Sequence, residues 1–521
     1  MNNAKQLLNE RRAYMAWIDQ IETGDREDAT EDAFVLLDML HPDEVENLQN
    51  GMTFSQLVER PFEDGIKTLP VVLRHADMKP EWRQAVESAA SNPERALIVG
   101  LSDTPSDTTR RAEIALLGMA DDGQPPPPVH ISFIGTAPAG VSKRVRAGLS
   151  SVTFRKSVAR SAVTGPGKPL KGKALLREIL EWRVAHEDKV FAAVYDIGQG
   201  SASAIVDHNE HPLVFFDIGK PISVFDYTRP RNAPRFLYCD QQKMTEGPGW
   251  FHAPVVLSHW DFDHWAGILE RFYVTKDTSG NKYARLTIVP GALERFWIAP
   301  YQEHLGLGVT HLELIRQLLK TVNGASGLTA LQYWPNNLAT LPFSHGVIVK
   351  AHPDADVGNT SSELRNNSGL VMLITPTEER LVEEGIVDKP TALLLQGDAR
   401  CESIPIDWSS VELAGLVVSH HGGKMGIAPN APRGGPHSKV VCSVGKVHPV
   451  HKTKPYGHPH PDALTAHAKA GWNVNTFTYQ RIQPWTSDKK LGNYVLSLDN
   501  EFPCCGCNCA SVGNLSLNPV V

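Results

Sequence analysis

The 521-residue sequence predicts an α/β protein, in which a mostly helical or α+β domain over residues 1–185 precedes a sheet domain over residues 190–490. Two patterns support this prediction. Apolar residues recur at helical spacing near the start of the chain. From residue 190 onward, short apolar runs alternate with Gly, Asp and His turns, which is typical of an α/β sheet. A C-terminal strand and a cysteine-rich tail are expected over residues 491–521.

The N-terminal domain is expected to begin with two helices and to continue with strands. Apolar residues between positions 7 and 18 have helical spacing, and a second helix is predicted over Phe34–Leu40, ending at His41-Pro42-Asp43. Residues 96–99 and 129–134 are short apolar runs, so they are predicted to be strands.

The composition indicates a folded protein without a membrane segment. Apolar residues make up 41% of the chain and charged residues 21%, and the formal net charge is -7. No apolar run approaches the ~18–20 residues that cross a bilayer, and the polar N-terminus is unlike a signal peptide. The seven cysteines lack the spacing of a secreted disulfide framework, so a cytoplasmic protein is expected.

One segment departs from this acidic average. Residues 143–177 contain ten Lys or Arg and no acidic residue. The segment is either a solvated loop and helix face or a phosphate-binding surface, because clustered cations attract a polyanion by releasing its counterions. On the second interpretation nucleic acid is the expected partner, and the N-terminal domain could also bind a protein. The cations concerned include Lys143, Arg144, Arg146, Arg155 and Lys156.

Two other motifs fit known sites poorly. Residues 167–174 resemble a phosphate-binding P-loop, but Ala174 replaces the Ser or Thr that would hold magnesium, so a nucleotide site is not expected. The cysteines at positions 504, 505, 507 and 509 stand too close together for the usual zinc pairing. A flexible tail that is open to oxidation or partner contact is favoured instead.

Three apolar runs in the second half end in residues of the types that bind metals. The ends are Ser258-His259-Trp260-Asp261-Phe262-Asp263-His264, Gln396-Gly397-Asp398 and Ser419-His420-His421-Gly422-Gly423. Each run has the character of a buried strand, and sites in α/β sheets form at the carboxyl ends of strands. In an extended segment His259 and Asp261 point to the same side, whereas Asp263 and His264 begin the next turn and can face a second metal.

Mixed imidazole and carboxylate ligands suit zinc, manganese or iron, and a carboxylate such as Asp398 can bridge two ions about 3.5–4 Å apart. Two such ions would lower the pKa of a bridging water to near neutrality, and the resulting hydroxide would attack a phosphoryl or carbonyl centre. The hard ligand Asp261 slightly favours manganese over zinc. Two divalent ions, zinc or manganese, are therefore the expected cofactors.

These motifs, with Asp196-Ile197-Gly198-Gln199-Gly200 and Phe215-Phe216-Asp217-Ile218-Gly219 before them, resemble the metallo-β-lactamase superfamily. Asp261 stands where that family usually has a second His, which is similar to the ComEC-like hydrolase domain of bacterial DNA-uptake proteins. Ser201 stands where the branch usually has Asp. The resemblance covers roughly residues 190–480. It implies an αββα sandwich, two metals and hydrolysis, with a phosphodiester or nucleic acid as substrate.

The resemblance also implies roles for single residues. One metal would be held by His259, Asp261 and Asp398, and the other by Asp263, His264 and Asp398. Either His420 or His458 would complete the ligand set. The implied catalytic residues are Asp263, His421 and His458, and substrate phosphate would contact His421 and Lys424. Residues that would support the ligands are Asp196, Asp217 and Asn367.

The resemblance and the basic segment together predict a phosphodiesterase or nuclease. Two alternatives stay open. The same site could act on a thioester, a lactone or a β-lactam. The fold could also be retained in a binding or regulatory protein, in which residues 1–185 recognise a partner.

Overall fold

The computed structural model describes most of the chain between residues 13 and 519. The described residues are 13–22, 34–52, 56, 59–61, 64–74, 77–92, 94–115, 128–138, 140–142, 145, 172–222, 252–302, 305–322, 328–354, 360–376, 390–423, 431–445, 458–474, 476–478, 493–499 and 518–519. Within these ranges, no helix combines the length and the apolar character that a membrane span requires.

The protein is a mixed α/β protein with more strand than helix. Its strands are β1 (Tyr14–Glu22), β2 (Phe34–Leu40), β3 (Thr68–Arg74), β4 (Leu97–Ser102), β5 (Arg110–Ile114), β6 (Val129–Thr136), β7 (Phe191–Val194), β8 (Ala202–Val206), β9 (Pro212–Ile218), β10 (Val255–Val256), β11 (Leu269–Lys276), β12 (Lys282–Ile288), β13 (Trp297–Ala299), β14 (Leu331–Tyr333), β15 (Thr340–Phe343), β16 (Gly346–Lys350), β17 (Leu370–Ile374), β18 (Thr391–Leu395), β19 (Glu412–Val417), β20 (Gly434–Val441), β21 (Tyr494–Leu496) and β22 (Asn518–Pro519). Its helices are α1 (Pro42–Gln49), α2 (Pro80–Ala90), α3 (Lys173–Val184), α4 (Phe262–Trp265), α5 (Pro290–Leu293), α6 (Val309–Lys320), α7 (Ser361–Asn367) and α8 (Pro461–Lys469).

Strands β1 to β6 close into a six-stranded barrel. The order is β3-β2-β1-β4-β6-β5, and β3 also pairs with β5, which completes the ring. Neighbouring strands of the ring are antiparallel. The hairpin β11–β12 extends the same sheet through the pairing of Ala284 with Thr68. A segment that follows His264 in sequence therefore belongs to the sheet of the N-terminal region.

The helical prediction for the start of the chain is wrong. The second predicted helix is strand β2, in which every residue is buried. The described part of the first, from residue 14 onward, is strand β1. A strand covered on both faces loses its period-two alternation, so its apolar run cannot be distinguished from a helix by pattern. The predicted strands at residues 96–99 and 129–134 are confirmed as β4 and β6.

The tripeptide that was expected to end a helix instead begins one. Helix α1 starts at Pro42, and the side chain of His41 accepts a hydrogen bond from Asp43 N at 3.2 Å. Proline suits the first helical position because the N–H that it lacks has no partner in the helix.

Two further sheets share one hydrophobic core. The first has the order β14-β13-β10-β9-β8-β7-β21-β22 and the second has the order β15-β16-β17-β18-β19-β20. Phe216 and Ile298 of the first sheet lie in the same apolar cluster as Met372 and Leu395 of the second. Strands β9, β10, β13 and β14 are parallel, as are β18, β19 and β20. Parallel strands bring their carboxyl ends to one edge, which is where the site forms.

The barrel is joined to helix α6 through a buried carboxylate. Asp38 on β2 accepts hydrogen bonds from Thr310 N at 2.7 Å and Thr310 Oγ1 at 2.8 Å. A Cβ on Gly308 would lie 2.1 Å from Asp38 Oδ2, so the approach of the helix requires glycine there. A carboxylate at this end satisfies a free N–H and complements the helix dipole.

Asp38→Ala is therefore expected to lower the free energy of unfolding by about 1–3 kcal/mol, because two buried donors lose their acceptor. Urea denaturation followed by circular dichroism measures the loss. Asp107→Ala, in an exposed turn, is the control and should change stability by less than about 0.5 kcal/mol. A wild-type midpoint for Asp38→Ala would contradict this account of the interface.

Candidate metal centre

Three strand ends converge at one edge of the two sheets. Strand β10 leads into the turn of residues 258–264, β18 leads to Asp398, and β19 leads to the kinked segment Ser419–Gly422. His420 N donates to Gly397 O at 3.2 Å, which ties the last two ends together. The turn and the two ends together form a cluster of buried imidazoles and carboxylates.

One carboxylate organises the turn after β10. Asp217, fully buried at the end of β9, accepts from Ser258 N at 2.7 Å and from Ser258 Oγ at 2.8 Å. His264 Nδ1 lies 2.8 Å from Asp217 Oδ2, and His259 Nδ1 lies 3.0 Å from Ser258 Oγ. Because each Nδ1 lies at hydrogen-bond distance from an oxygen, Nε2 of both rings faces the cluster.

The turn packs against a loop that leaves no room for a side chain. A Cβ on Gly219 would lie 1.7 Å from Asp263 O, so only glycine fits. Ser201 N donates to the same carbonyl oxygen at 2.9 Å. Asp196, at the start of this loop, is buried, and its N–H donates to Asn493 Oδ1 at 2.7 Å. The loop therefore positions the backbone of the turn, and support of a metal ligand by the Asp196 carboxylate stays a prediction.

Four buried ligand-type atoms of Asp263, His264, Asp398 and His421 lie together without a hydrogen-bond partner. They are His264 Nε2, His421 Nε2, Asp263 Oδ1 and Asp398 Oδ1. His264 Nε2 lies 3.1 Å from Asp398 Oδ1 and 3.9 Å from Asp263 Oδ1, and His421 Nε2 lies 3.9 Å from Asp398 Oδ1. The contact of His264 Nε2 with Asp398 Oδ1 compensates part of the burial of these two atoms, whereas a buried polar atom left unpaired costs about 1–3 kcal/mol. A divalent cation among them would satisfy all four, and the donor set suits one.

A second group of donors faces the other oxygen of Asp398. His420 Nδ1 lies 3.1 Å from Asp398 Oδ2, and His259 Nε2 lies 3.8 Å from the same atom. Asp261 Oδ2 is 3.6 Å from His259 Nε2. Asp398 thus presents Oδ1 to one group and Oδ2 to the other, which is the arrangement that a bridging carboxylate requires.

The consecutive histidines after β19 serve different groups. His420 and His421 both have left-handed backbone conformations, with φ of 49° and 54°, at the kink of this segment. His421 is buried, with Nε2 3.2 Å from Asp263 Oδ2, and its expected contact with substrate stays a prediction. Of the two residues proposed to complete the ligand set, His420 is the one that reaches Asp398. His458 stacks on its ring, with centroids 5.1 Å apart.

The electrostatics of the cluster favour a bound cation. Burial alone would lower the pKa of His264, but the carboxylates of Asp398 and Asp217 outweigh it and hold that pKa well above its ordinary value. Burial would raise the pKa of Asp398, yet His264 and His420 bring it well below the usual range. For His458, burial and the neighbouring His420 both lower the pKa, so this ring is neutral near pH 7.

Asp261 is shared with a buried arginine that sequence reasoning missed. Arg365 Nε on α7 donates to Asp261 Oδ1 at 2.6 Å, and Ser362 Oγ donates to Oδ2 at 3.2 Å. Burial would raise the pKa of Asp261, but Arg365 and then His259 lower it below the usual range. No local motif marks Arg365, because its partner is more than a hundred residues away in sequence.

Asn367, expected to support the ligands, contacts the loop after Asp398. Its Oδ1 accepts from Arg400 N at 3.0 Å, which joins α7 to this loop. The neighbouring Asn366 lies closer to the cluster. Its amide nitrogen, when turned to donate to Asp261 Oδ2 at 3.1 Å, leaves the amide oxygen 3.3 Å from His420 Nδ1. One residue along a helix turns a side chain by about 100°, so the two asparagines face different elements.

Several predicted residues lie outside the described part of the chain. They are Lys143, Arg144, Arg146, Arg155, Lys156, Lys424, Cys504, Cys505, Cys507 and Cys509. A nucleic-acid surface on the basic segment and a role for the cysteine-rich tail therefore stay predictions.

The comparisons with known proteins assign no family. No protein-family model matches this chain, and no curated protein matches it.

His421→Ala is expected to weaken metal binding more than His458→Ala. The first variant removes one of the four converging atoms, whereas the second removes a ring that stacks beside the ligands. Mutation of a residue that hydrogen-bonds a metal ligand typically lowers the metal affinity 10–100-fold, so loss of a direct ligand should lower it at least as much. Titration calorimetry of the metal-free variants with zinc measures both affinities. Equal losses, or a larger loss in His458→Ala, would contradict the ligand assignment.

Proposed function

We propose that this protein is a metal-dependent hydrolase of the metallo-β-lactamase fold that cleaves phosphodiesters. The observation that carries the proposal is the convergence on Asp398 of two groups of buried donors, one at each carboxylate oxygen. The group at Oδ1 contains four buried ligand-type atoms without a hydrogen-bond partner, and a bound ion would account for them.

The arrangement of the layers supports the fold part of the proposal. The two sheets enclose a common core, and each also has an apolar cluster on its other side. Leu312 and Ile315 of α6 pack in a cluster with residues of the first sheet, such as Val255. Leu464 of α8 packs against a cluster that contains Leu394 of the second sheet. Helices outside two packed sheets are what an αββα sandwich requires.

The proposed ligand sets follow from the contacts. Asp263, His264 and His421 would hold one ion, His259, Asp261 and His420 the other, and Asp398 both. Zinc and manganese are the ions whose preferences fit these nitrogen and oxygen donors. Bound divalent ions would supply Lewis acidity toward a phosphoryl oxygen and would make a water molecule nucleophilic at neutral pH.

The protein's own residues prepare the site. Asp217 and Ser258 hold Nδ1 of two imidazoles, so that Nε2 of each ring faces the cluster. A bound ion would displace the proton that the raised pKa of His264 keeps on that ring. His420 exposes 18% of its side chain, whereas the rings of His259, His264 and His421 are exposed by 4% or less, so substrate would approach from the side of His420. The neutral ring of His458, stacked on it, is then the candidate to take or give a proton at the substrate.

The choice of a phosphodiester has a separate basis. It depends on the resemblance to the ComEC-like branch and on the cations of residues 143–177. A thioester or lactone would need the same ions but no cationic surface. A partner nucleic acid and a cytoplasmic location are part of the same proposal.

The test is hydrolysis of bis(p-nitrophenyl) phosphate by metal-stripped protein supplied with zinc, manganese or magnesium. Turnover should depend on the metal and should fall at least about 100-fold in Asp398→Ala, because this carboxylate serves both groups of donors. Asp407→Ala, in a turn away from the cluster, should keep wild-type activity. Binding of two ions without turnover would exclude the phosphodiesterase and leave carbonyl substrates or a regulatory role.

A further inference from the structure

A chain of buried charges connects the barrel to the cluster. It runs from Asp261 through Arg365 to Asp19 on β1, and the three side chains are exposed by 1% or less. Arg365 Nε is 2.6 Å from Asp261 Oδ1, and its Nη2 is 3.4 Å from Asp19 Oδ1. The same nitrogen donates to Asp19 O at 2.7 Å. The guanidinium is therefore fixed at one end by the barrel and at the other by the turn after β10.

The barrel is shaped to make this contact. The register of β1 against β2 shifts between Ile18 and Gln20, so Asp19 lies in a β-bulge. A bulge re-aims one residue out of the regular ladder, and bulges are common next to functional sites. Here the bulged residue offers both its carbonyl and its carboxylate to Arg365.

A second contact runs in parallel with the first. The ring of His311 on α6 lies 4.2 Å, between centroids, from Phe262, which stands between Asp261 and Asp263 in the turn. His311 Nδ1 is 3.8 Å from Asp19 Oδ1 and 3.9 Å from Asp38 Oδ2. Two barrel carboxylates therefore face the elements that support the cluster.

The pairing with Arg365 decides how Asp261 can bind an ion. Since the guanidinium holds Oδ1, Oδ2 is the oxygen that faces His259 Nε2, at 3.6 Å. The pair of Asp261 and Arg365 has no net charge, as a neutral imidazole has none. Without Arg365, the carboxylate would add an uncompensated buried charge and could rotate.

We propose that Arg365 is a positioning residue, held by Asp19 of the barrel, that restricts Asp261 to one oxygen and so completes the ion site on the His259 side. The inference rests on the proposed metal-binding function. It makes the barrel a necessary part of the metal centre rather than a separate module.

The test is calorimetric titration of the metal-free full chain with manganese, with zinc as a second probe. Wild type should bind two ions. Arg365→Met should bind one of them at least tenfold more weakly and the other within twofold of wild type. Asp19→Asn, which removes one charge at nearly constant shape, should weaken the same ion by a smaller factor. The double variant Arg365→Met with Asp261→His should recover binding of that ion, because a neutral ligand needs no compensating charge.

Arg316→Met is the matched control. Arg316 is also fully buried, pairs with Glu313 at 2.8 Å and donates to Arg60 O, but it does not touch the cluster. It should keep both affinities. The proposal would be overturned if Arg316→Met weakened ion binding as much as Arg365→Met does, or if both ion affinities of Arg365→Met equalled those of wild type.

The remaining outcomes also decide between the claims. If Arg365→Met does not fold by circular dichroism, unchanged binding in Asp19→Asn overturns the proposal, and selective weakening supports it. If wild type binds two ions and Arg365→Met behaves like wild type, this inference alone fails. If wild type binds no ion, the proposed function fails as well.

Discussion

The carboxylate of Asp217 accepts hydrogen bonds from the backbone and hydroxyl of Ser258 and contacts His264 Nδ1, and the geometry of the whole cluster depends on these bonds. They fix where the turn after β10 begins and which nitrogen of His264 faces inward. Gly219 packs against the other side of the turn and restricts its backbone further, because no Cβ fits beside Asp263 O. Side chains with fixed ring orientations on a fixed backbone face one point before an ion binds, which lowers the cost of ordering the site.

The same turn is also held from the barrel side. Asp19 and Asp38, from adjacent barrel strands, reach Arg365 and helix α6, and the ring of His311 contacts Phe262 of the turn. Buried charged contacts of this kind cost desolvation energy unless each charge is paired, so they are weak evidence for stability alone. Their position next to the cluster favours a role in placing ligands. The barrel therefore contacts the elements that hold the turn, and we interpret it as part of the support of the site and not as an independent domain.

The sequence predicted the site better than it predicted the barrel. Four ligand-type residues follow buried strands in a pattern that is visible in the sequence alone, and the cluster contains all of them: His259, Asp263, His264 and Asp398. Strands β1 and β2 were predicted as helices because they are buried on both faces, which erases the alternation that identifies a strand, whereas β4 and β6 were predicted as strands. Arg365 could not be found because its contacts join distant parts of the chain.

The central claim is that two ions bind on either side of one carboxylate. X-ray diffraction from zinc-soaked crystals, recorded above and below the zinc absorption edge, tests it directly. The account predicts two anomalous peaks about 3.5–4 Å apart, one near each oxygen of Asp398. No peak at the cluster, or peaks only at sites that do not contact Asp398, would contradict it.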